Sequence, residues 1–281
     1  MVNEKRVYII SPSDLSYICY HCAYLKKNYN IYNSGVSAGI TSTLDGIEKK
    51  HFLGDCKKIS QDLPDGEVID PYNIIFFSKE LLDNKQRPFR LKGKGDAIIK
   101  FLDGNAGIVD FKTSKFKREE NNKTDKFSDD SLKSKVDEYS PQLHAYSLLY
   151  SNLETDEEFL AEKSTAKTVE SKKESARKKL EKIKNVSIKA AKTLGIVFIY
   201  PDGVIESNRL GVYFSYQYEP LKVDMKNFKD LITNYLDVLY KKEPPPIPES
   251  CGTKAGKSMK KCLSHSFFYD VKKLRDLDKN N

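Results

Sequence analysis

Two apolar runs joined by a short polar tripeptide constrain this chain more than any other segment. The first is Gly95-Asp96-Ala-Ile-Ile-Lys-Phe-Leu102, the second Gly107-Ile-Val-Asp110-Phe-Lys112-Thr113, and Asp103-Gly104-Asn105 lies between them. Each run has strand length, and Asp-Gly-Asn is hairpin turn chemistry, because Gly and Asn tolerate the positive φ that a tight turn needs. Side chains two apart share a strand face, so Asp110 and Lys112 point the same way. Folding about the turn brings Asp96 opposite or diagonal to that pair. Two carboxylates and an ammonium group then gather on one small area, a set suited to a divalent cation and an activated water.

Downstream, Tyr139-Ser-Pro-Gln142-Leu-His-Ala-Tyr146 predicts a helix in which Gln142 and Tyr146 share a face. Pro141 suits the first turn of that helix, where no N–H is required. In order, Gly95-Asp96, Val-Asp-Phe-Lys-Thr and Gln-x-x-x-Tyr resemble the PD-(D/E)XK nuclease superfamily in its RecB-type branch. That branch includes CRISPR-associated adaptation nucleases and the nuclease domains of recombination helicases. The resemblance runs from Ser11 to about Tyr269. It implies an α/β, restriction-endonuclease-like core, a mixed sheet flanked by helices, and metal-dependent hydrolysis of DNA in repair, recombination or defence. It also implies a helicase or recombination partner.

On that reading Asp96, Asp110 and the backbone carbonyl of Phe111 hold Mg²⁺ or Mn²⁺, hard cations that prefer oxygen ligands. Lys112 orients the attacking water and stabilises charge on the phosphate, while Gln142 and Tyr146 contact water, phosphate or base. RecB-type nucleases usually add a His or Glu from an early helix. Here Asp45, flanked by Leu44 and Ile47, is the nearest substitute, and the number of bound metals stays open. Two other readings stand beside the nuclease: a catalytically silent nucleic-acid-binding module of the same fold, and a basic helical interaction protein with an accidental motif match. His21, His51 and His144 receive no catalytic role.

At 281 residues, 39% hydrophobic and 11% aromatic, the chain can bury a sizeable core and is expected to form one nuclease domain over residues 1–281. Its longest apolar runs, such as Ile196-Val-Phe-Ile-Tyr200, are strand-sized, so no membrane span is expected. The first residues lack a secretory signal pattern, which predicts a cytoplasmic protein. Net charge is +8, concentrated between Lys163 and Lys192, where eleven Lys or Arg face three Glu. Outside that stretch the charges nearly balance. Residues 160–192 are thus a basic helical insertion, expected to touch a phosphate backbone if it faces the active cleft.

Four of the five cysteines lie near the ends of the chain, and a cytoplasmic setting disfavours disulfides. Cys19-Tyr-His-Cys22 and Cys262-Leu-Ser-His265 each have the spacing of a metal half-site. With Cys251 as a further candidate in the tail 244–281, they predict a structural clip joining the two ends. A Cys₃His set favours Zn²⁺, the preferred metal; Cys19, Cys22, Cys251 and Cys262 together would allow the iron–sulfur cluster found in related nucleases. Buried free thiols are the simpler alternative.

The remaining pattern predicts a helix from Ser11 to about Asn28, and another over Gly35–Asp55 with Ile40, Leu44, Ile47 and Phe52 inward. A flexible loop is expected over residues 115–137. Strands are expected at Leu194–Tyr200 and Gly211–Tyr216, and an amphipathic helix over Asp224–Tyr240.

Overall fold

The computed structural model describes residues 6–16, 19–31, 39–72, 74–113, 129–205 and 211–246. In chain order the elements are β1 (Tyr8–Ile10), a 3₁₀ turn (Pro12–Leu15), α1 (Tyr20–Tyr29), α2 (Gly39–Phe52), β2 (Gly54–Asp55), a second 3₁₀ turn (Cys56–Lys58) and β3 (Gly66–Ile69). They continue as β4 (Phe76–Phe77), β5 (Leu81–Leu82), β6 (Pro88–Gly93), β7 (Ala97–Phe101), β8 (Ala106–Thr113) and α3 (Asp129–Ser151). Last come α4 (Glu157–Glu162), α5 (Val169–Val186), β9 (Ala191–Ile205), β10 (Gly211–Leu221) and α6 (Met225–Leu239).

The architecture is α/β, a mixed sheet flanked by helices. Six strands run in the order β10-β9-β8-β7-β3-β2, with β8 and β9 parallel and the other neighbours antiparallel. A smaller sheet places β6 between β1 and β4, and β5 also pairs with β6. The parallel β8–β9 step requires a crossover, which α3, α4 and α5 supply.

Both faces of the large sheet are covered, and strand alternation sorts its residues between them. Ile98, Ile108, Leu194, Ile196 and Phe198 pack with Leu143, Tyr146, Leu149 and Tyr150 of α3 and with Ile232 and Leu236 of α6. Ala97, Ile99, Val109, Phe111, Val197 and Ile199 turn the other way, onto Phe52 of α2, Cys56, Ile59 and Leu63. Ile98, Ile99 and Ile108 are fully buried, each contributing about 1.5–3 kcal/mol of transfer free energy. Inserting charged side chains at the ends of such strands costs stability. Their presence there therefore calls for an explanation.

Three elements differ from the sequence expectation. The first helix is broken: after the 3₁₀ turn Ser16 is extended (φ −85°, ψ 142°), and α1 starts only at Tyr20. Ser11 and Asp14 close a capping box at the turn's start, and Asp14 then takes ion pairs from Lys26 and Lys27 of α1. This ties the two halves side by side. The inward face of α2 is rotated, with Ile47 59% exposed and Glu48 8% exposed. Leu44, Glu48 and Phe52, four residues apart, form the stripe that turns in.

Helix α3 begins at Asp129, within the stretch expected to be a loop, so Pro141 lies inside the helix and not in its first turn. Leu132, Val136 and Tyr139 explain the extension, since their spacing lays three apolar side chains on the core. Residues 114–128 lie outside the described residues. Among the described residues no helix is long and apolar enough to cross a membrane.

Candidate active site

The β7–β8 hairpin forms as its turn chemistry predicts. Gly104 has φ +82°, a conformation costly for a side-chain-bearing residue, and Asp103 accepts the backbone N–H of Asn105 at 2.9 Å. The register pairs Ala97 with Val109, so the next step along both chains faces Asp96 with Asp110. Asp96, Ile98, Ile108, Asp110 and Lys112 share the face covered by α3.

Strand β7 begins only at Ala97, paired with Val109, leaving the N–H of Phe111 beyond the ladder on that side; the Asp96 carboxylate accepts it at 3.0 Å. In an extended strand a residue's N–H and C=O leave from the same edge. The Phe111 carbonyl therefore projects toward the Asp96 side as well. The Phe111 ring points the opposite way and stacks on Phe52, with centroids 5.1 Å apart and planes at 16°. That packing fixes the backbone between the two acids. Behind Asp96, Gly95 donates its N–H to the Tyr150 hydroxyl at 2.9 Å. A Cβ at Gly95 would meet the Tyr150 ring at 3.0 Å, so the glycine directly before Asp96 reflects this close approach of α3.

Asp110 is 2% exposed. Gln142 donates from Nε2 to its Oδ1 at 3.3 Å, and Ser16 donates to Gln142 Oε1 at 3.0 Å. Both ends of the Gln142 amide are thus occupied, and the residue holds Asp110 in place. Lys112 Nζ lies 2.5 Å from Asp110 Oδ2, yet that oxygen lacks a well-directed hydrogen bond. The Lys112 ammonium also sits 4.8 Å from the centre of the Tyr139 ring. Burial pushes the Asp110 carboxyl up to about 7, against the pull of Lys112 and aided by the neighbouring Asp96. Burial also opposes ionisation of Asp96, but Lys49, contact with Asp110 and Lys112 outweigh it and hold Asp96 below the usual carboxylate range.

Lys49 is a residue of the candidate site that the sequence pattern does not single out. Its ammonium lies 2.9 Å from Asp45 and 3.0 Å from Asp96, bridging α2 to the strand ends. Asp45 therefore faces the site through Lys49 and does not meet the hairpin acids directly. The Asp45–Lys49 i,i+4 spacing was the available signal, a pair that on a solvated helix means little. Glu48 joins from the same helix, accepting the Thr113 hydroxyl at 3.1 Å; burial first, then Asp45 and Asp96, raise its carboxyl. Four carboxyl groups meet two ammonium groups here, and a divalent cation would favour the ionised form of the two raised acids, Asp110 and Glu48. Among the described residues no three His, Cys, Asp or Glu side chains form a metal-holding group. The donor set is two carboxylates and a carbonyl, which suits a cation that keeps several waters.

Tyr146, 6% exposed, lies one turn beyond Gln142. Its hydroxyl is pushed upward by burial, then by Asp110 and Asp96, and interacts with Gln142. His144, on the other side of α3, is structural. Asp224 N–H donates to its Nε2 at 2.8 Å, so Nδ1 carries the proton and donates to the Ser140 carbonyl at 2.8 Å.

Of the proposed cysteine clip, Cys251, Cys262 and His265 lie outside the described residues. Cys19 and Cys22 are partly buried and in contact at the start of α1. The hydrogen bond from Cys22 brings the Cys19 thiol down to about 5, against the opposing effect of burial. His21 Nδ1 sits 2.6 Å from the Pro245 carbonyl, so the chain leading toward Cys251 passes beside this helix. Cys56 is buried away from them, with its thiol 3.0 Å from the Pro64 carbonyl.

No family model and no curated protein matches the chain. Among solved structures, the crystal structure of SSO0001 aligns over 87% of this chain and 80% of its own, at 14% identity and a TM-score of 0.39.

Proposed function

We propose that this chain is a Mg²⁺- or Mn²⁺-dependent DNA nuclease of the PD-(D/E)XK type, acting in the cytoplasm in repair, recombination or defence. The observation that carries the reading is the buried Asp110, with one oxygen lacking a directed hydrogen bond, beside Asp96 and Lys112 on one strand face. Asp96, Asp110 and the Phe111 carbonyl would hold the cation. When bound, it supplies a lower pKa for the attacking water and neutralises phosphate charge.

The chain's own groups do the rest. Lys112 turns from Asp110 to hold the attacking water and to stabilise the charge that grows on the phosphate in the transition state. Gln142 and Ser16 keep the Asp110 carboxylate from rotating away. Lys49 screens Asp96 from Asp45 and Glu48, so that acids on two elements tolerate one another before the cation arrives.

The test is incubation of purified protein with single- and double-stranded DNA, with and without Mn²⁺. Metal-dependent cleavage by wild type, lost in the Asp110→Asn variant, is expected. Wild-type protein that binds DNA but never cleaves it would favour the silent module. One observation supports that second reading: Lys49 and Lys112 already neutralise both acids.

For the ends of the chain, we infer that Cys19 and Cys22 join Cys262 and His265, or Cys251, around a structural Zn²⁺, an iron–sulfur cluster being the alternative. The depressed Cys19 thiol suits a metal-bound thiolate. Pro245, beside His21, is six residues from Cys251, a reach of roughly 20 Å. Elemental analysis of protein purified without oxygen separates zinc from iron, and finding neither metal would end the clip.

A further inference from the structure

Two shallow grooves mark the surface, one of them beside the candidate site. One, of about 450 Å³, is lined by Ser13, Ile75, Lys92, Lys94 and Tyr146, among others. Tyr146 feels the charge of both Asp96 and Asp110, so this groove opens beside the acids. The other, of about 340 Å³, is lined by Ile74 and by Ser171, Glu174, Lys178, Lys179 and Lys182 of α5, with Lys178 paired to Glu174 at 2.6 Å. Lys92 of the first groove and Lys179 of the second both reach the Phe77 ring, so that ring links the two.

The lysines along this line are arranged unusually. Lys92 from β6 and Lys179 from α5 lie over the same ring, Phe77, at 5.5 Å and 5.6 Å from its centre. Both are only partly exposed, and their like charges repel. Lys182 lies 5.3 Å from the centre of the Tyr72 ring. Tyr72 adopts φ +62°, a region that bulky residues rarely enter, and the residue stays 37% exposed with its hydroxyl accepting from Asn185 at 3.2 Å. Ile75 is 48% exposed. Cations alternate with apolar and aromatic surfaces from the acids to α5.

We propose that Lys92, Lys179 and Lys182, with Tyr72 and Ile75, form a track for a single strand of DNA running from Tyr146 to α5, an inference that rests on the nuclease reading above. An anion between Lys92 and Lys179 relieves the repulsion that their shared seat over Phe77 creates, and successive phosphates supply such anions. The Tyr72 ring and Ile75 offer faces on which unstacked bases rest, which a duplex does not present. This makes specific the general basic character of residues 160–192: only the α5 lysines that face Phe77 and Tyr72 belong to the footprint.

The test is fluorescence anisotropy of a labelled oligothymidylate with metal-free protein across a salt series, with cleavage in Mn²⁺ measured separately. Each lost single-strand phosphate contact lowers the salt slope by about 0.7, so Lys92→Ala/Lys179→Ala should lower it by about 1.4. Lys189→Ala, at an exposed position off the grooves, should leave it unchanged. Tyr72→Ala should weaken binding by roughly tenfold and Tyr72→Phe should not. A double variant with wild-type slope and affinity overturns the track and leaves the nuclease standing. Wild type that binds with the expected slopes yet never cleaves overturns the nuclease and keeps the track. Wild type that binds no oligonucleotide overturns both.

Discussion

Two buried aspartates in this molecule are treated in opposite ways. Asp83, 5% exposed, accepts the backbone N–H groups of Lys85 and Arg87 at 2.9 and 2.8 Å and two guanidinium bonds from Arg87 at 2.8 and 2.5 Å. Arg87 then reaches the Thr233 carbonyl and Asp237, fastening the β5–β6 turn to α6. Asp110 is as deeply buried but has a long bond from Gln142 and a close, poorly aimed lysine. One carboxylate is saturated by its own fold. The other is held by one long hydrogen bond and one ion pair, and its second oxygen lacks a directed bond, as that of a group kept for a ligand would under the proposed function.

The largest effect that would break this contrast is on activity. Lys112→Ala should lower DNA cleavage by about 10²–10³-fold while the protein stays folded, the buried Asp110 carboxyl taking up a proton in place of its lost ion pair. A variant with near-normal turnover removes Lys112 from the mechanism. Next comes stability. Asp83→Ala should cost about 3 kcal/mol by urea denaturation, near the low end for breaking a buried pair because Asp237 still faces Arg87. Asp110→Asn should cost less than about 1 kcal/mol or be stabilising, since it removes a buried charge and keeps the shape. Equal losses at the two positions would erase the distinction.

A smaller effect sharpens it. Added Mn²⁺ should stabilise wild type by about 1–3 kcal/mol at concentrations well above its dissociation constant, and stabilise Asp110→Asn much less. Asp83→Ala, though less stable at the start, should gain as much as wild type. A gain independent of Asp110 would mean that the cation binds elsewhere.

How much of this was legible beforehand follows the range of the interactions. The hairpin was readable because its turn residues and its two-residue alternation are local, and so was the shared face of Asp110 and Lys112. Gln142 was found by position, but not the direction of its amide, which depends on Ser16. Lys49 was not found, because a helix lysine looks solvated until the sheet is placed beside it. The start of α3 was hidden for a related reason. Leu132, Val136 and Tyr139 are thinly spread in a polar stretch and become a stripe only against the core. The outward turn of Ile47 has the same origin: α2 lies at the end of the strands, where polar groups supply part of its inward face.

The smallest expected effect is the response to acid at the saturated aspartate. Burial alone would raise the Asp83 carboxyl, but Arg87 and the backbone N–H groups outweigh it and hold the group below its ordinary value. An acid whose folded-state pKa is depressed contributes stability above its unfolded pKa, about 3.9, and loses it as pH falls through the lower folded value. Stability from this site should therefore be intact at neutral pH and fade only below about pH 4. Asp83→Asn removes the titration, so its stability should fall less steeply than wild type's over the same interval, while remaining lower at neutral pH. Denaturant midpoints measured at a series of pH values from neutral downward would show the two curves converging in acid. Parallel curves would mean that Arg87 gains nothing from the Asp83 charge, and that the turn is held by its backbone bonds alone.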